Sequence, residues 1–72
     1  MKFRTKKEDA LVLMGVLNNS QEYIKRVTYN SDKVEIVEFK SEEVSYIFYT
    51  FDGQLVKYEY YMNGDMTEIF VK

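Results

Sequence analysis

From Tyr23 onward, turn-forming pairs recur about every ten residues, at Ser31-Asp32, Ser41-Glu42, Asp52-Gly53 and Asn63-Gly64, with β-branched and aromatic runs between them. That spacing confines the chain to an antiparallel meander. Asp-Gly and Asn-Gly are the strongest of the four signals, because a type I′ hairpin needs positive φ at both central residues. No proline interrupts the intervening runs. Five strands are expected, over about residues 23–30, 33–40, 44–51, 54–62 and 65–71.

A helix precedes them. Thr5-Lys6-Lys7-Glu8 has the form of a capping box, in which the Thr5 hydroxyl accepts the Glu8 backbone N–H while Glu8 reaches back to Thr5. Ala10, Leu13, Met14 and Leu17, flanked by Val16, then recur at helical spacing until Asn18-Asn19-Ser20 stops the run. The helix is expected over about residues 6–18. The fold class is therefore α+β, one N-terminal helix packed on a five-stranded antiparallel β-meander, in a single small domain spanning residues 1–72.

If every turn holds two residues, Phe51 pairs with Gln54 and Met62 with Asp65, and counting outward fixes the remaining neighbours. Val27, Ile36, Ile47, Tyr58 and Ile69 then form one row and Tyr29, Val34, Tyr49, Val56 and Val71 the next. This apolar face is the one the helix is expected to cover. The opposite face is mixed, with Arg26, Val37, Tyr46, Glu59 and Glu68 in one row and Thr28, Glu35, Phe48, Lys57 and Phe70 in another. A third row there, Ile24, Phe39, Val44, Tyr61 and Met66, is apolar across the sheet, with Tyr46, Phe48 and Phe70 close by. A helix about 10 Å across cannot cover both sides of a sheet roughly 20 Å wide. These eight residues are the expected partner-binding surface, unless the sheet curls into a small barrel that takes the stripe inside.

Composition restricts the function. A chain of 72 residues without cysteine has no disulfide or thiolate metal site to brace it, so packing or self-association must supply its stability. A homodimer is one expected form. The absence of histidine removes the commonest general base and metal ligand. Glu59 and Glu68 face each other in the expected register, an arrangement that should raise one of their pKa values and offers the only acid-base pair. Asn63, Asp65 and Glu68 do not have the spacing of a calcium loop. No cofactor or metal is expected, and no enzymatic activity.

Charge is unevenly spread. Lys2, Arg4, Lys6 and Lys7 precede a body carrying six basic and twelve acidic residues. Such a body repels phosphate, so Tyr46, Phe48 and Phe70 make a poor stacking platform for single-stranded nucleic acid, which stands as an alternative function. No apolar run reaches the roughly 18 residues of a membrane span, and Leu11 to Leu17 lacks the cleavage site of a signal peptide. A cytoplasmic chain without membrane or nucleic-acid partners is expected. Its size, acidity and lack of motif suit a small phage or mobile-element accessory protein that binds a host factor.

The stretch Val44 to Val71, with its Asp52-Gly53-Gln54-Leu55-Val56-Lys57 hairpin, resembles the strand meander in the globular part of minor pilins and pseudopilins. The resemblance implies an assembly subunit as a further alternative. The long apolar assembly helix of that family has no counterpart in these residues.

Overall fold

A computed structural model describes residues 2–72. Its elements are β1 (Lys2–Thr5), α1 (Lys7–Asn19), β2 (Ile24–Tyr29), β3 (Val34–Lys40), β4 (Val44–Phe51), β5 (Gln54–Met62) and β6 (Asp65–Val71). The strands form one six-stranded sheet in the order β1-β6-β5-β4-β3-β2. The α+β class holds, but the sheet is mixed and has one strand more than expected. Residues 2–5 add to the far edge, parallel to β6, with Phe3 beside Ile69 and Thr5 beside Val71. The two end strands, β1 and β2, do not pair with each other, so the sheet stays open and no barrel closes.

Strand β1 also changes the start of the helix. Thr5 is committed to the sheet, where its carbonyl accepts the Lys72 N–H at 3.0 Å. The N-cap is Lys6, with no side-chain hydrogen bond, and the Thr5 hydroxyl donates instead to the Lys6 carbonyl at 3.5 Å. The expected capping box does not form. Glu8 and Asp9 occupy the first turn, where the macrodipole favours negative charge. At the other end the Ser20 N–H reaches the Leu17 carbonyl at 3.2 Å.

Both glycine hairpins form as expected. Asp52 and Gly53 have φ of 51° and 78°, Asn63 and Gly64 of 53° and 83°, so each pair supplies the two positive φ values of a type I′ turn. Phe51 pairs with Gln54 and Met62 with Asp65. The two serine turns differ from expectation. Ser41 pairs with Val44, its N–H donating to the Val44 carbonyl at 2.8 Å while its hydroxyl oxygen accepts the Val44 N–H at 3.1 Å. This moves the β3–β4 register by two residues and leaves every side chain on its expected face. In the β2–β3 turn, Asn30 donates to the Val34 carbonyl at 3.1 Å and the Ser31 hydroxyl accepts the Lys33 N–H at 3.2 Å. Val27 consequently faces Val37 rather than Ile36.

A second one-residue slip lies in the β4–β5 ladder. Thr50 pairs with Leu55 but Tyr49 pairs with Lys57, so Val56 is the extra residue of a β-bulge. One-residue slips exchange the faces of a strand. Together the two slips turn β3 and β4 over relative to their neighbours. The helix-covered face therefore combines Val27, Tyr58, Ile69 and Val71 with Val37, Phe39, Tyr46 and Phe48, and not with Ile36 and Ile47. Its core is Ala10, Leu17, Val37, Phe39, Phe48 and Leu55, with Leu13, Met14, Tyr23, Tyr46, Tyr58 and Val71 packed around it. Phe48 meets Phe39 edge-on at 5.8 Å and stacks on Tyr58 at 5.0 Å.

Candidate functional site

The same two slips decide where the eight expected binding residues lie. Phe39 and Phe48 are 1% and 0% exposed and form the centre of the core. Tyr46 packs against them, and Val44 lies on that face of β4. Ile24, Tyr61, Met66 and Phe70 remain on the opposite face. The expected stripe is thus split between the two sides of the sheet. The three rings proposed for base stacking are split as well, with Tyr46 and Phe48 under the helix and Phe70 on the far side.

The face without a helix is organised around a charge cluster. Glu59, on the inner strand β5, is only 7% exposed and is the one buried charged residue among those described. Its Oε1 accepts hydrogen bonds from the Tyr49 hydroxyl at 2.9 Å and the Tyr61 hydroxyl at 2.8 Å. Its Oε2 accepts from Lys57 Nζ at 3.2 Å, and the same ammonium donates to Glu68 Oε2 at 2.6 Å. Glu59 and Glu68 do face each other across β5 and β6, as expected. Lys57 lies between them, and the expected upward shift is not found at Glu59, whose carboxyl is held below its ordinary value. That ammonium also sits over the Tyr49 ring at 4.9 Å and the Phe70 ring at 5.8 Å.

Burial alone would push the Glu59 carboxyl up, but the hydrogen bonds from Tyr61, Tyr49 and Lys57 outweigh it and hold the group below its ordinary value. Burial, then the hydrogen bond and negative charge of Glu59, push Tyr49 up to about 12. Tyr61 is raised chiefly by its bond to Glu59, and Lys57 chiefly by its bond to Glu68. Tyr46 and Tyr58, on the other face, are raised first by burial.

These directions fix the pH dependence. Groups raised above their unfolded values contribute stability below those values and lose it as pH rises through the folded ones. Urea melts should therefore show stability falling as pH rises from about 10 to about 12. Glu59 acts oppositely: its contribution is present above the unfolded carboxylate value and is lost as pH falls through the lower folded one. A stability profile that stays flat through the alkaline limb would contradict the hydrogen-bonded cluster.

Among the described residues no buried side-chain nitrogen or oxygen lacks a partner. The hydrogen bonds of Glu59 and Lys57 link β5 to β4 and β6. No group of three potential metal-ligating side chains comes together among the described residues. No helix there is long and apolar enough to cross a membrane.

An exposed apolar surface that sequence reading missed is on α1. Leu11, Val12 and Val16 are 47%, 67% and 61% exposed, whereas Ala10 and Leu17 on the inner side are buried. The signal was present, since Leu11 to Leu17 holds only one residue, Gly15, that is not apolar. A helix apolar on every side belongs to an interior. Gly15 lies within this outward surface, and a Cβ there would meet nothing within 4 Å.

Comparison with protein-family models, with curated proteins and with solved structures finds no significant match for this chain.

Proposed function

We propose that the chain is a non-enzymatic protein-binding module whose partner seats on the outward side of α1. The observation that carries this is the exposure of Leu11, Val12 and Val16 on a helix whose inner side already fills the core. Gly15 supports it. Glycine in mid-helix costs about 1 kcal/mol relative to alanine, and nothing inside the chain requires its missing side chain. A partner backbone approaching over Gly15, beside Leu11 and Val12 one turn earlier, does require it. Glu8 stands one turn before Val12, and the body of the chain is acidic, so the matching surface is an apolar groove with a basic rim.

The test separates stability from binding. Gly15→Ala should raise stability by up to about 1 kcal/mol in thermal melts while weakening capture of the partner by the immobilised chain. Val12→Glu with Val16→Glu should abolish capture and leave the melting temperature close to that of the parent. A partner retained equally by all three chains would place the binding surface elsewhere.

A further inference from the structure

Strand β2 is one free edge of the sheet, and all six of its residues are exposed. The Asn30 N–H donates to the Val34 carbonyl, continuing the unbroken register in which Tyr29 faces Glu35. Bonded and non-bonded pairs alternate along an antiparallel ladder, so Thr28, Arg26 and Ile24 also direct their backbone groups to β3. Lys25, Val27 and Tyr29 consequently present three N–H and three C=O groups outward.

Natural edges are commonly guarded by proline, a bulge or an outward lysine. The chain has no proline, and the β2–β3 register carries no bulge. Lys25 is turned back over the sheet, its ammonium 2.9 Å from Asn18 Oδ1 and 6.0 Å from the centre of the Phe39 ring. The edge is long, regular and unguarded by that lysine.

We propose that two copies of the chain pair β2 with β2, antiparallel, across a two-fold axis through Val27. An axis perpendicular to the sheet brings like faces together, so residues of equal parity must meet. Two central registers satisfy this. Centring on Arg26 sets two guanidinium groups directly opposite, which is repulsive. Centring on Val27 sets Arg26 opposite Thr28 and Lys25 opposite Tyr29, with no like charges facing. It also matches every outward N–H to an outward C=O, closing six backbone hydrogen bonds across the axis. The result is one twelve-stranded sheet with both α1 helices on the same side. The pairing rests on backbone groups of β2 and does not depend on the partner-binding surface proposed for α1.

Position 28 reads out the register. Thr28 is exposed, and in the Val27-centred dimer it faces Arg26 of the second copy twice. Thr28→Glu should therefore tighten the dimer about three- to thirty-fold and Thr28→Lys weaken it by a similar factor in sedimentation across a concentration series. Amide exchange on the unmodified chain supplies a measurement without substitution. The N–H groups of Lys25, Val27 and Tyr29 should become protected as concentration rises, while those of Arg26 and Thr28 are protected throughout. A mass that stays at 8.7 kDa at every concentration would overturn the proposal. So would a dimer indifferent to both Thr28 substitutions, or one in which the three outward amides exchange freely.

Discussion

Phe48→Ala is expected to lose about 3 to 5 kcal/mol, the transfer and cavity cost of deleting a fully buried ring. Phe48 has no exposed surface and meets the Phe39 and Tyr58 rings at 5.8 and 5.0 Å, so its removal opens a space in the centre of the core. At roughly 0.05 to 0.15 kcal/mol per residue, a 72-residue domain has about 4 to 11 kcal/mol of folding free energy, so such a loss is a large fraction of it. Ile47, the preceding residue, points to the other side of β4 and is half-buried beside Glu59. Ile47→Ala should cost only about 1 to 2 kcal/mol, for partial burial without an enclosed cavity. Urea melts of the two variants measure the difference. The reverse order would mean that β4 presents its other face to the helix.

The second large effect belongs to Lys57. Its ammonium is the only cation bonded to Glu59 and Glu68 among the described residues, and all three side chains are a quarter exposed or less. Lys57→Met keeps the unbranched chain up to the ε position but leaves two carboxylates facing each other in a poorly solvated place. Removing one partner of a buried ion pair typically costs about 3 to 5 kcal/mol, and the residual exposure here lowers the expectation to about 2 to 4 kcal/mol at neutral pH. The loss should shrink as pH falls toward about 4, where protonated carboxyls no longer repel. The Phe48→Ala penalty should not change with pH in that way. Chemical melts of both variants at neutral and acidic pH compare them directly, and a pH-independent Lys57→Met penalty would mean that lost packing, not charge, is responsible.

Why these two residues were misplaced or undervalued from sequence follows from the pattern itself. Asp52-Gly53 and Asn63-Gly64 fixed their hairpins because the positive φ values admit few alternatives. Serine turns carry no such constraint, and Ser31 and Ser41 each close their loops through a hydroxyl whose register no short motif specifies. The bulge at Val56 is equally silent, since valine is at home in any strand position. Parity is normally rescued by one face being polar. In β3 and β4 both faces are apolar, Val37, Phe39, Tyr46 and Phe48 on one and Ile36, Ile47 and Tyr49 on the other, so the expected rows looked consistent while facing the wrong way. The larger aromatic set is the one that fills the core.

Other parts of the site were partly visible. The Glu59–Glu68 pairing was legible because it depends only on the Asn63-Gly64 turn, but Lys57 as the bridging cation was not, since it is a neighbour of Glu59 at i−2 whose side-chain path only the folded face reveals. Strand β1 was hidden by its brevity: Lys2 to Thr5 is too short for alternation to stand out, and it pairs with the far end of the chain. The apolar outer side of α1 was written in Leu11 and Val12, which went unused because Ala10, Leu13, Met14 and Leu17 already satisfied the helical period, and in Val16, which was read as a flank of that inward stripe and is 61% exposed.

Which face of β3 and β4 meets α1 determines the core, the charge cluster and the surface left for a partner, and nuclear Overhauser contacts from the Ala10 and Leu17 methyl groups measure it most directly. The account predicts strong contacts to the Phe39 and Phe48 rings and none to the Ile36 or Ile47 methyl groups. Contacts from Ala10 and Leu17 to Ile36 and Ile47 would contradict it.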